Sequence, residues 1–135
     1  MTRLFIAQPL EIKIDEPKAA DFASLRWQEI CWLKELSQED ATQIVAKAFY
    51  SEHCVGQQLA RKAFREDIPH PLKIEFDDGD ASTPNSLRFG LFRVIRLQEY
   101  LERRGHMLAI HAVLIGAIIK VGPEPVVKAD PEPAP

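Results

Sequence analysis

The sequence predicts an α+β domain, with about four helices packed on one face of a small, mostly antiparallel sheet; a mostly α-helical bundle is the alternative. Three observations predict it. Apolar residues fall at helical spacing in several segments between 18 and 104. They alternate at period two over 10–14 and 72–76. An unbroken apolar run fills Met107 to Val121. With 135 residues, one domain over 1–121 is long enough to bury a core without disulfides. A Pro-rich arm, 122–135, follows it.

Leu10, Ile12 and Ile14 alternate with Glu11, Lys13 and Asp15, the pattern of a half-buried strand. Leu4 and Ile6 come before Pro9, which demotes that first half to an edge or a bent lead-in. Residues 18–36 read as a helix with Phe22, Leu25, Trp32, Leu33 and Leu36 on one broad face. Trp27 and Cys31 form an adjoining stripe. Both tryptophans suit a core, and one of them would suit a partner contact, where Trp is enriched.

Ser37 ahead of Glu39 and Asp40 reads as a helix cap with acids at the positive end of the dipole. Ala41, Ile44, Val45, Ala48 and Phe49 then recur at i, i+3, i+4, i+7 and i+8. That pattern predicts a helix to about His53, with Gly56 as its stop or kink. Residues 57–66 predict a short third helix, with Leu59, Ala60, Ala63 and Phe64 inward and Arg61, Lys62 and Arg65 outward. Leu72, Ile74 and Phe76 predict a strand, turned by Asp77-Asp78-Gly79-Asp80.

Thr83-Pro84 supplies an N-cap and first-turn pair for a long helix to Arg104. Leu87, Leu91, Val94, Ile95 and Leu101 lie on its core side, and Gly105 is its C-terminal stop. In the run 107–121, six residues are β-branched. This favours a central strand bent at Gly116 over a buried helix. The run is shorter than the ~20 apolar residues of a membrane-spanning helix, so it reads as core.

The chemistry is sparse. Cys31 and Cys54 are in no C-x-x-C spacing and read as small hydrophobes in a reducing, cytoplasmic setting. The N-terminus lacks the long apolar region of a signal peptide. His53-Cys54 and His106…His111 lack ligand spacing for zinc. Asp77, Asp78 and Asp80 could hold a hard cation, although Asp and Gly are also what a plain turn uses. No P-loop, dinucleotide fingerprint or nucleophile elbow is present. No cofactor is expected, and a small metal-dependent enzyme ranks last among the functions.

The basic residues are the more informative pattern. Arg88, Arg93, Arg96, Arg103 and Arg104 occur with no Lys between Leu87 and His106, and Arg61, Lys62 and Arg65 form a second group. Arg pairs bidentately with carboxylate or phosphate. The net charge of −3 argues against a whole-surface nucleic-acid binder, so a protein partner ranks above nucleic acid. A solvated helix face, neutralised by Glu99 and Glu102, is the plain reading beside both. The arm carries Pro123, Pro125, Pro131 and Pro133. Extended Pro-rich segments lose little entropy on ordering and can lie along a neighbour.

These readings converge on a non-enzymatic adaptor or structural subunit. It would join a homo- or hetero-oligomer through its terminal arms and Arg face, with no membrane contact. A phage or other viral particle would suit such a subunit and would make the location the virion. A small regulatory nucleic-acid-binding protein using the Arg segment is the alternative.

Overall fold

The chain is strand-rich, and the β-branched run at its end forms the longest strand pair in the molecule. A computed structural model describes residues 2–9, 18–40, 42–76 and 86–122. The strand expected at 10–14, the acidic turn at 77–80 and the arm from Pro123 onward lie outside the described residues.

The elements in order are β1 (Thr2–Ile6), α1 (Ala19–Ala23), β2 (Gln28–Glu29), β3 (Leu33–Gln38), β4 (Gln43–Phe49), α2 (Val55–Glu66), β5 (His70–Phe76), β6 (Ser86–Glu102) and β7 (Gly105–Val121). The strands form one sheet in the order β2-β1-β5-β6-β7-β4-β3, with every neighbouring pair antiparallel. β1 and β3, near opposite margins, approach each other, so the sheet curls around its core. That core takes Leu4 and Ile6 from β1, Leu72 and Ile74 from β5, Phe92 and Val94 from β6, Leu108 and Ile110 from β7, and Ile44, Ala46 and Ala48 from β4. Leu59, Ala60 and Ala63 of α2 close it.

Two features seat α2. Gly56 lies directly on the main chain of β2. Gln57, fully buried, accepts the Ser51 N–H at 2.9 Å and donates to the carbonyls of Phe49 at 2.8 Å and Cys31 at 3.1 Å. One side chain thus ties the ends of β3 and β4 to the first turn of α2 and satisfies buried backbone groups that would otherwise cost free energy. On the other face of the sheet, Phe22 of α1 stacks on Phe89 at 5.5 Å and Trp27 tilts against it at 5.9 Å. The Trp27 indole N–H donates to the Phe22 carbonyl at 3.2 Å.

The expected four-helix arrangement is overturned, and so is its helical-bundle alternative. The described residues hold two helices, one of them a single short turn, against a seven-stranded antiparallel sheet. The expected helix at 18–36 breaks into α1, β2 and β3. It turns at Cys31-Trp32, where Trp32 is left-handed with φ 60°. The expected helix at 41–53 is β4. Its residues Ile44, Val45, Ala46 and Ala48 are all buried, and a strand covered on both faces loses the alternation that marks a strand. The expected helix at 84–104 is β6, whose register shifts between Phe89 and Leu91 and again between Val94 and Arg96. At the first shift the extra residues lie on β7 around Gly116, while at the second Ile95 is inserted into β6 and reverses its inward parity. Phe89 is also buried on the face opposite Phe92. The apolar positions therefore come at mixed spacings of two, three and four, which imitate a helix.

The helix expected at 57–66 and the strand at 72–76 are present, as is the strand at 107–121. Phe64 is exposed rather than inward. The stretch before Pro9 is an interior strand, β1, and not an edge.

Candidate assembly surface

β6 and β7 form a two-stranded ribbon, paired from Leu87↔Val121 to the turn at Glu102↔Gly105. At 17 residues each, the strands span roughly 55 Å. Their other neighbours cover only part of that length. β5 pairs β6 from Ser86 to Phe92, and β4 pairs β7 from Met107 to Val113. The Leu114 N–H extends this last ladder by one bond to Thr42 O, at 2.7 Å.

Among the described residues, no strand pairs the outer side of β6 from Arg93 to Glu102, nor of β7 from Ile115 to Val121. The ribbon thus carries two open margins, diagonally opposed. The β7 margin reads Ile-Gly-Ala-Ile-Ile-Lys-Val, with Ile115 at 44 % and Val121 at 37 % exposure. The β6 margin carries Ile95 at 49 % and Leu101 at 83 %. Open margins expose unpaired N–H and C=O groups, and apolar ones are templates for another strand. Gly116, at φ 82°, gives the β7 margin its bend without backbone strain.

The predicted basic residues do not lie together. Arg96 is exposed on the β6 margin and opposes His111 across the ribbon. Arg103 and Arg104 form the ribbon's turn and are exposed. Arg93 faces Asp67 Oδ1 at 3.5 Å. Arg88 is half-buried, with its guanidinium over the Phe76 ring at 5.5 Å. On α2, Arg61 pairs with Glu99 and lies over the Tyr50 ring at 4.6 Å, and Tyr50 in turn stacks on His106 at 4.3 Å. Lys62 and Arg65 line a groove of about 500 Å³ with Arg26, Gln28 and Gln58. Pro123, Pro125, Pro131 and Pro133 lie outside the described residues.

Sequence reasoning missed the open margins, because they follow from strand lengths that differ between neighbours. The available signal was the length of the β-branched run, which exceeds every other strand-like segment. Of the two tryptophans, it is Trp32, expected on the core face, that stands on the surface at 69 % exposure, while Trp27 is half-buried.

Among the described residues, no group of three or more His, Cys, Asp or Glu is placed to hold a metal. No helix there is long and apolar enough to cross a membrane.

No protein-family model matches the sequence, and no curated protein matches it. A solved structure of the SPP1 tail tube, from solid-state NMR and electron cryomicroscopy, is similar over 90 % of this chain and 77 % of that one. The TM-score is 0.56 and the identity 11 %. At that identity the likeness is one of fold: the chain shares the fold of a phage tail-tube subunit.

Proposed function

We propose that this chain is a non-enzymatic structural subunit that assembles with copies of itself into a ring or tube of the phage-tail kind. The observation that carries the reading is the pair of diagonally opposed open margins on the β6–β7 ribbon. The β7 margin of one copy adds to the β6 margin of the next, so the contact is head to tail. Such contacts close into a ring or propagate as a helix. Backbone hydrogen bonds supply the affinity, and alternate side chains such as Ile115 and Ile95 supply the fit. The fold shared with a tail-tube subunit supports the same reading.

The basic residues take a supporting place. Arg96, Arg103 and Arg104 flank the β6 margin and contact acidic groups of the neighbour, while Arg61, Lys62, Arg65, Arg88 and Arg93 lie nearer the body. The arm with Pro123, Pro125, Pro131 and Pro133 leaves the chain directly after the β7 margin and lies along the adjoining copy.

Charge on an edge strand is a common block to pairing. The test is therefore the double variant Ile115→Lys/Ile118→Lys, followed by light scattering. The reading expects a folded monomer where the parent chain is multimeric. A variant that assembles like the parent overturns it.

A further inference from the structure

Cys31 and Cys54 are remote in sequence and meet in the fold. The Cys31 N–H donates to Cys54 Sγ at 3.2 Å. Both thiols point at the same acceptor, the Glu29 carbonyl, at 3.6 Å for Cys31 and 3.4 Å for Cys54. Cys31 is half-buried and Cys54 is buried. Cys31 opens the turn into β3, and Cys54 is the residue just before α2. A covalent link between them would close a loop holding both β3 and β4. That loop is the outer hairpin of the sheet.

We propose that Cys31 and Cys54 are a disulfide-forming pair that locks the β3–β4 hairpin to α2 when the chain meets a small-molecule disulfide oxidant. Cys31, the more accessible thiol, reacts first. Its thiolate attacks one sulfur of oxidised glutathione; the S–S bond breaks, and one glutathione thiolate leaves. The Cys54 thiolate then attacks the Cys31 sulfur and expels the second glutathione. The protein loses two protons and two electrons, and oxidised glutathione becomes two glutathione thiols.

The surroundings make the reaction slow rather than forbidden. Desolvation, then the hydrogen bond and charge of Cys54, then the charge of Glu29, push the Cys31 thiol up to about 11. Thiolate is scarce at neutral pH, and the thiolate is the nucleophile. The pair stays reduced in a reducing compartment and closes on prolonged contact with an oxidising one.

The test treats the full chain with oxidised glutathione at about pH 8 over hours, followed by intact mass and peptide mapping without reductant. The proposal expects a monomer about 2 Da lighter, a linked Cys31–Cys54 peptide and no titratable thiol. The thermal midpoint rises on the order of 10 °C over the reduced chain. A Cys31→Ser chain shows neither change. Stable glutathione adducts of roughly 305 Da each, bonds between chains, or two free thiols after treatment would each overturn the proposal.

Discussion

Gly56 rests on the main chain of Glu29: a Cβ at Gly56 would stand 2.1 Å from the Glu29 carbonyl oxygen and 2.9 Å from Ile30 N. The obstacle is backbone, which cannot swing aside as a side chain can. Only glycine lets the first turn of α2 sit this close to β2. Gly56→Ala should therefore lift the helix from the sheet and cost about 2–4 kcal/mol, within the range of overpacking and backbone strain. The midpoint of urea unfolding measures it. A loss below about 0.5 kcal/mol, the level of an ordinary surface change, would mean that α2 is seated differently.

Gln57, beside it, should be as sensitive for the opposite reason. Gln57→Leu keeps the volume and leaves the Ser51 N–H and the Phe49 and Cys31 carbonyls without this partner. The expected loss is about 2–4 kcal/mol, since unpaired buried groups cost about 1–3 kcal/mol each and some regain water. Amide exchange at Ser51 should also accelerate. Unchanged stability together with unchanged exchange would remove Gln57 from this role.

His70 should make stability fall with acidification. The side chain is fully buried on the inner side of β5. Its Nδ1–H donates to Ile68 O at 2.8 Å, and Nε2 has no partner among the described residues. Desolvation holds its pKa below the usual histidine value, against smaller upward effects from the Ile68 carbonyl and Glu66. In the unfolded chain the ring takes a proton near pH 6.5. The unfolded state therefore binds more protons once the pH falls through that value, and stability drops with it. This contribution is fully present above about pH 6.5 and is lost below it. The unfolding midpoint, followed from pH 7.5 to about 5, should decline in the parent chain and flatten in His70→Gln. Equal slopes would assign the decline to other groups.

What the sequence made legible follows from how each segment is covered. Residues 72–76 have one buried and one half-exposed face, so Leu72 and Ile74 alternate with Lys73 and Glu75 in plain view. α2 has a small-residue face against the sheet and a charged face outward, so its period is clear. In 107–121 the excess of β-branched residues sufficed. β4 was hidden because Val45 is buried on the face opposite Ile44 and Ala46, and full coverage erases periodicity. β6 was hidden by burial on both faces, Phe89 on one and Phe92 and Val94 on the other, and by the bulge after Val94. The basic residues were visible as a list, but their grouping presumed a helix. On a bulged strand Arg88 sits half-buried against Phe76 while Arg96 is exposed. The margins were beyond a one-dimensional reading, since an open edge is defined by where the neighbouring strand stops.

The central claim is that identical chains add to one another through the margins of the β6–β7 ribbon. The most direct measurement is light scattering with electron microscopy of the purified full chain across a concentration series. The account predicts closed rings or tubes whose mass is a whole multiple of the 15.3 kDa subunit. A 15.3 kDa monomer at every concentration, with no ring or tube in the images, would contradict it.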